Sequence, residues 1–458
     1  MEKTVCELFA GVGGFRCGLN NIKKLNDIKN PETWNTVWYN QWEPDKKMQW
    51  AHDCYVDKFG ISLDLSGKDT TNIDISKVNK NDIPNHNLLV GGFPCQDYSV
   101  ARSLSGEQGI EGKKGVLWWS ILDTIKAKHP PFILLENVDR LLKSPSKQRG
   151  RDFGIILGCL NNEGYFVEWR VINAAEYGGV QRRRRTFIFA YHKTTVFAHS
   201  ITPNISNPQK IINSDSFFAR TFPISHISEK DIKVYNNLSK DIAKISSNFK
   251  FTFENSGFLI NNSIYTVRTK PKSICYLTLG SILENNPVDD RYFIPDNQLY
   301  YTSHNITHSD ERETELSSDD RHTWQYLKGA KKRNRTNKEG NKYVFSEGAI
   351  PLIDKWAAPA RTMLTSEGTF NRSTHIVEDK TTHNIRKLTP VETERIQGFP
   401  DNWTQFCLVN GERKPMPERN RYFCMGNALV VPLISKMGHY LEEIFNNEEE
   451  NEEHPIDE

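Results

Sequence analysis

Cys95 closes the run Leu88-Leu89-Val90-Gly91-Gly92-Phe93-Pro94-Cys95, where an apolar stretch meets two glycines and a proline and has to turn. A thiolate exposed at such a turn is a nucleophile. A free cysteine is also one of the most buried residue types, so a structural thiol is the competing reading. Glu136 interrupts a second apolar run, Phe132 to Val138. An unpaired carboxylate is costly to bury, so this one has either an ion-pair partner or a chemical task. If the strands ending at Cys95 and Glu136 are neighbours, thiol and carboxylate face one pocket. Further on, Gln181-Arg182-Arg183-Arg184-Arg185 leads into Thr186-Phe187-Ile188-Phe189-Ala190. In a strand, Arg183 and Arg185 share one face and Arg182 and Arg184 the other. One pair can then line a site while the other meets phosphates; a solvated charge run is the plainer alternative.

The elements needed to position these groups read as an open parallel sheet. Thr4 to Phe9 is a buried strand, and Ala10-Gly11-Val12-Gly13-Gly14-Phe15-Arg16 turns into a helix reaching about Ile22. Bare N–H groups in such a turn suit a carboxylate or phosphate, and equally allow tight packing. A second strand, Thr36 to Pro44, ends in Gln41-Trp42-Glu43. That position in such sheets commonly meets a ribose and its base, or Trp42 simply packs on the next helix. Asp74-Ile75 precedes the strand 87–92, and Asp74 can accept from an adenine amino group. Ser99 to Lys114 lacks periodicity and reads as a loop suited to closing over a substrate. A helix from Gly115 to Lys128 leads to the Glu136 strand, Asp152 to Leu160 is helical, and Tyr165 to Val171 alternates as an antiparallel strand does. Strand alternating with helix predicts a parallel sheet with ligands at its carboxyl edge.

Past residue 193 the texture changes to short strand-like pieces without a long helix. Lys328 to Lys338 is the densest basic cluster and follows the acidic run Asp310 to Asp320. Phosphate contacts account for it, and a plain exposed loop does so nearly as well. Thr389 as N-cap, Pro390 as first helical residue, Glu392 three after the cap and Gly398 as terminator predict a capped helix. Gly426-Asn427-Ala428-Leu429 opens a last apolar helix to about Phe445, and Asn446 to Glu458 is expected to be a disordered acidic tail.

Composition narrows the classes. The 458 residues are too many for one ordinary core, so two domains are expected. Lys plus Arg (59) nearly cancels Asp plus Glu (57), so any nucleic-acid surface must come from local clustering. The eight cysteines form no CxxC pair and no His/Cys spacing, which argues against a disulfide framework and a zinc site. No apolar stretch has membrane length and Met1 to Thr4 runs directly into a strand, so a soluble cytoplasmic protein is expected.

Together these segments resemble the DNA (cytosine-5) methyltransferases. Phe9-Ala10-Gly11-Val12-Gly13-Gly14 is similar to the family's S-adenosylmethionine loop, Gly92-Phe93-Pro94-Cys95-Gln96 to its nucleophile motif, and Glu136-Asn137-Val138 to its acid motif. Gln181, Arg183 and Arg185 match its Gln-x-Arg-x-Arg pattern, and Arg386 to Pro400 and Gly426-Asn427 match its two late motifs in order. Pro359 to Thr365 resembles the end of the target-recognition region, and Leu279 to Glu284 a small-domain element of the bacterial members. Two positions depart from the pattern. Gln41 stands where an acid is usual, so Glu43 is a second candidate for the ribose, and Ala428-Leu429 replace the common Ser and Val.

The resemblance implies an α/β, Rossmann-like methyltransferase sheet with a smaller, mostly irregular or β target-recognition domain. The expected divisions are 1–192, catalytic; 193–419, target recognition including the capped helix 389–398; 420–446, a helix returning to the catalytic domain; and 447–458, tail. It implies attack by Cys95 on carbon 6 of a flipped cytosine, with Glu136 on ring nitrogen 3 and the amine, and Arg185, backed by Arg183, on the carbonyl. S-adenosylmethionine, with no metal, is implied at Phe9, Gly11, Val12, Gly14, Gln41, Trp42, Glu43, Asp74, Ile75, Pro94, Leu117, Asn427 and Ala428. Double-stranded DNA is implied at Ser99, Arg102, Gln181, Lys331, Lys332, Arg333, Arg335, Arg361 and Thr362, with the loop 96–114 closing behind the base. A monomer in the bacterial cytoplasm, on the nucleoid, is expected, with a cognate restriction endonuclease acting separately. An RNA cytosine methyltransferase shares these motifs, but the long insert between residues 192 and 386 favours a duplex reader. A DNA-binding protein with a dead methylase fold, or an oxidoreductase using the glycine loop, leaves Cys95, Glu136 and Arg185 unexplained.

Overall fold

The computed structural model describes residues 1–28, 32–44, 46–93, 117–274, 276–301, 319–336 and 340–453. Nine strands make its main sheet: β1 (Thr4–Leu8), β2 (Asn35–Asn40), β3 (Leu88–Gly92), β4 (Phe132–Val138), β5 (Tyr165–Asn173), β6 (Arg184–His192), β7 (Lys233–Tyr235), β8 (Ser256–Ile260) and β9 (Ser263–Val267). Their order is β2-β1-β3-β4-β6-β5-β8-β9-β7. The first four are parallel, and every pairing from β4–β6 outward is antiparallel.

The central strands read as unbroken apolar runs because both faces are covered. Leu89, Ile133 and Leu135 face one core, with Trp118, Ile121 and Ile125 of the Leu117–Lys128 helix and Phe153 and Ile156 of the Arg151–Asn162 helix. Their neighbours Leu88, Val90, Phe132 and Leu134 face the other, against Leu433, Ile434, Met437 and Leu441 of the helix Val431–Glu453. That alternation fixes which side chains stand at the strand ends. The smaller elements are three antiparallel pairs: β10 (Lys331–Thr336) with β11 (Lys342–Glu347), β12 (Ile376–Glu378) with β13 (Ile385–Lys387), and β14 (Phe406–Val409) with β15 (Glu412–Pro415). A third core joins the last two of these pairs to the glycine loop, with Val12, Cys17 and Cys54 packed among Met363, Ile396, Phe399 and Trp403.

Three expectations need correction. The division at 192 falls inside the main layer, because β7, β8 and β9 extend the sheet of β1–β6. The basic cluster is a two-stranded hairpin rather than a loop. The last helix continues to Glu453, well past Phe445. Glutamate is a good helix former, and Glu448 accepts from the backbone N–H groups of Val196 and Phe197, which anchors the extension. The 389–398 capping box forms as its spacing predicts: Glu392 N–H donates to Thr389 Oγ1 at 3.2 Å, Thr389 N–H to Glu392 Oε2 at 2.9 Å, and Gly398 ends the helix at φ 80°.

Candidate active site

The parallel register of β3 and β4 sets Gly92 beside Glu136, so close that a Cβ at position 92 would lie 3.2 Å from Glu136 Oε2. On the other side β6 pairs antiparallel, placing Arg185 opposite Val138. Arg185 Nε lies 2.7 Å from Glu136 Oε1, with side chains 18% and 13% exposed. The carboxylate therefore has its ionic partner and stays partly exposed at the strand end. Asn137, between them, is buried and was not singled out from the sequence. Its Nδ2 donates to the Phe93 carbonyl at 2.8 Å, and its Oδ1 accepts from Val138 N–H at 2.9 Å. That pins the backbone two residues before Cys95. Pro94, Cys95, Ser99, Arg102 and the expected lid 96–114 lie outside the described residues.

Replacing Asn137 by Ala is expected to lower kcat about ten- to a hundredfold, since misplacing a reacting group by about 1 Å has effects of that size. Cofactor affinity should hold. An unchanged kcat in the folded variant would show that the clamp has no part in placing the nucleophile.

Arg183 and Gln181 are buried behind this pair and bonded elsewhere. Arg183 is 2% exposed and donates from Nη1 to the Met363 carbonyl and from Nη2 to the Gly426 carbonyl, both at 3.0 Å. Burial, reinforced by the Arg185 guanidinium, pulls its pKa down to about 9. Gln181, expected at the DNA, is fully buried: Nε2 donates to Gln397 Oε1 at 2.7 Å and Oε1 accepts from Met363 N–H at 3.2 Å. Gln397 in turn donates to the Met425 carbonyl. The alternating pattern thus orients one guanidinium to the site and uses the other two residues to bind segments 360–363 and 418–427 to the sheet. Arg183→Met should destabilise the fold by about 2 to 4 kcal/mol in urea unfolding, because two buried carbonyls lose their donors. Arg183→Lys should restore little, since only the planar fork spans both oxygens. Wild-type stability in Arg183→Met would contradict this role.

The glycine loop divides its duties. A Cβ on Gly13, at φ 86°, would meet Phe59 and Tyr55, and one on Gly14 would lie 2.9 Å from Leu429, so these two serve close packing. At Gly11 nothing lies within 4 Å of that position. Val12 is buried and its carbonyl accepts from Trp403 Nε1 at 2.8 Å. Gln41 Oε1 accepts from Gly11 N–H at 2.8 Å, so this side chain ties strand β2 to the loop. Trp42 is half-buried, as is Phe9 at φ 56°. Glu43 instead lines a cavity of about 350 Å³ with Lys46, Trp50, Arg419 and Phe423, whose walls do not include the loop 9–14. Burial raises its carboxyl pKa, against the pull of Lys46. Asp74 spends Oδ1 on Ser76 N–H and Oγ, Ile75 is core, and Leu117 packs against that core. Asn427 ends the helix Glu418–Asn427 exposed, with Ala428 extended beyond it.

The residues expected at DNA separate by burial. Lys332, Arg333 and Arg335 are exposed on the hairpin, Arg335 lying 3.8 Å over the Phe345 ring. Lys331 turns inward to the Leu327 carbonyl and Glu347, and Lys328 is buried near Asp354. Arg361 is spent on Asp354 (2.7 and 3.0 Å) and the carbonyls of Ser373 and Thr374, and Thr362 Oγ1 donates to the Arg182 carbonyl. These two tie segment 360–363 to Asp354, to residues 373–374 and to the start of the arginine strand. Cys6, Cys17, Cys54, Cys159, Cys407 and Cys424 are all buried, and burial pushes each thiol up, Cys54 to about 12 and Cys159 to about 11. None is a ready thiolate. Among the described residues no group of His, Cys, Asp or Glu is set to hold a metal ion, and no helix is long and apolar enough to cross a membrane.

Comparison with known proteins agrees with this geometry. The chain is 47% identical over 442 residues to the Type II methyltransferase M.Sau3AI of Staphylococcus aureus, covering 96% of this chain and 95% of that one. It is 24% identical over 439 residues to Type II methyltransferase M1.ScrFI of Lactococcus lactis subsp. cremoris, covering 96% and 77%. Crystal structures of Dnmt2 methyltransferase from S. pombe and of a DNMT2 mutant from Spodoptera frugiperda share the fold, with TM-scores of 0.50 and 0.51 at 14% and 12% identity, covering 97% and 96% of this chain and 99% of each neighbour. The family model described as C-5 cytosine-specific DNA methylase matches residues 3–443, and with that span and the near-complete Staphylococcus aureus relative, this chain belongs to the C-5 cytosine-specific DNA methylase family.

Proposed function

We propose that this chain methylates carbon 5 of a cytosine within a specific sequence of double-stranded DNA, using S-adenosylmethionine. The observation that carries the reading is the Glu136–Arg185 pair at 2.7 Å, set beside the strand end that leads to Cys95. The cofactor fits the residues present: open space over Gly11, the half-buried Trp42 ring, and the exposed Asn427 two residues before Leu429, which packs against Gly14 of the same loop. When bound, it supplies an electrophilic methyl group on a sulfonium. Gln41 holds the loop, and Trp42 stacks on the adenine.

The base must leave the duplex to reach Glu136. The Cys95 thiolate forms a bond to carbon 6, and the ring's π pair moves to carbon 5 as the nucleophile. Glu136, once it carries a proton, donates to nitrogen 3 and accepts from the amine, which offsets the charge that develops on the ring, and Arg185 holds the base carbonyl. Once carbon 5 has accepted the methyl group, its proton passes to solvent, the C–H pair re-forms the 5,6 double bond and the sulfur leaves carbon 6 as a thiolate. Lys332, Arg333 and Arg335 on the exposed hairpin contact the duplex around the target. The Type II name of the Staphylococcus aureus relative supports a protective role against a cognate endonuclease, with the enzyme acting as a cytoplasmic, nucleoid-bound monomer. Bisulfite sequencing of DNA from cells expressing the chain tests this. A fixed sequence context with converted-resistant cytosines is expected, and DNA free of new 5-methylcytosine would overturn it.

A further inference from the structure

We infer that the main sheet carries a second DNA contact, a basic groove that grips the phosphate backbone several base pairs away from the target cytosine. It rests on the reading that the chain acts on duplex DNA. The groove is a cavity of about 620 Å³ lined by Ser146, Lys147, Arg149, Lys233, Lys250 and Phe251. Lys147, Arg149 and Lys250 are exposed, and none of the three is in a salt bridge among the described residues; Lys233 is paired with Glu254. No carboxylate lines the walls. A cleft with that much unneutralised positive charge fits a polyanion.

The groove is built rather than incidental. Its two walls come from distant parts of the chain and are tied together: Gln148 Nε2 donates to the Ser246 carbonyl at 3.2 Å and to the Phe249 carbonyl at 2.9 Å. Gly150, at φ 87°, lets them approach, since a Cβ there would lie 2.2 Å from the Phe251 carbonyl oxygen.

Its position identifies the occupant. Following the register outward, Val138 pairs Arg185, Arg185 pairs Ile172, Arg170 pairs Ser256, Ser256 pairs Val267 and Thr266 pairs Lys233. The groove therefore lies at the same edge of the sheet as Glu136, five strand spacings along. At about 4.8 Å each that is roughly 24 Å, or about seven base pairs of a duplex rising 3.4 Å per step. A duplex with its target base at Glu136 and running along this edge brings its flanking phosphates to Lys147, Arg149 and Lys250.

The test uses the full chain and its Lys147→Gln/Arg149→Gln/Lys250→Gln variant, all at exposed positions. Two duplexes carry the cytosine located by bisulfite sequencing, one with about four and one with about twelve base pairs on each side, a choice that brackets the seven-pair distance. The variant should bind the long duplex about tenfold or more weakly, with a salt slope lower by about 2 to 3, one phosphate contact per cation. On the short duplex it should bind and methylate like the unaltered protein. Equal behaviour of the two proteins on both duplexes, or an equal loss on both, overturns the groove. Failure of the unaltered protein to methylate any duplex would instead overturn the reading on which the groove rests.

Discussion

Glu136→Gln is expected to lower kcat for cytosine methylation by about a hundred- to ten-thousandfold, the range for removing a positioned acid together with its charge stabilisation. DNA affinity should change little. The amide has the shape of the protonated acid: its NH2 can donate to ring nitrogen 3 and its oxygen can accept from the exocyclic amine, so a flipped cytosine still docks. What the amide lacks is a proton to give as the thiolate adds and the ring gains electron density. Arg185, 2.7 Å from the carboxylate in the native pair, then faces a neutral group. Single-turnover methyl transfer and gel-shift titration separate the two effects. Unchanged turnover, or a loss of binding that accounts for the whole decline, would remove Glu136 from the chemistry.

Cys95→Ser should be more severe, with methyl transfer reduced by more than about ten-thousandfold, because a hydroxyl at neutral pH has almost none of the nucleophilicity of a thiolate. Cofactor and DNA should still bind, since serine changes one atom. The six described cysteines are buried with raised thiol pKa values, and none stands at a strand end beside Glu136. Substituting any of them should leave the chemistry intact in protein that folds. A Cys95→Ser enzyme with normal turnover would sink the covalent mechanism.

Local signals made much of this molecule legible. The apolar runs 88–92 and 132–138 read as buried parallel strands because both faces are covered, and their glycine and glutamate breaks marked the site. The 389–398 helix followed from its cap residues alone. What stayed hidden depends on partners far away in the chain. Gln181 finds Gln397 across 216 residues, and nothing beside Gln181 indicates that it is buried. Asn137 stands in the acid motif, but its own role is invisible there because its partner is the Phe93 carbonyl, 44 residues away and just past the end of β3. The 331–336 segment, Lys-Lys-Arg-Asn-Arg-Thr, has no apolar alternation to mark it as a strand; its pairing with Lys342–Glu347 supplies the order. Strands 256–260 and 263–267 are short, and only their pairing with β5 shows that they extend the catalytic sheet. In the stretch 446–453 the acidic composition suggests disorder, whereas the same glutamates favour continuation of a helix already begun; 454–458 lie outside the described residues.

The covalent step can be read directly with a duplex in which the target cytosine carries fluorine at carbon 5. After methylation there is no proton on that carbon to lose, so the sulfur cannot leave and protein and DNA stay joined. Incubation with S-adenosylmethionine followed by denaturing electrophoresis and peptide mass spectrometry should give a linked complex with the DNA on Cys95, absent from Cys95→Ser. No linked complex with an active enzyme, or a linkage at any other cysteine, would contradict the assignment of Cys95 as the nucleophile.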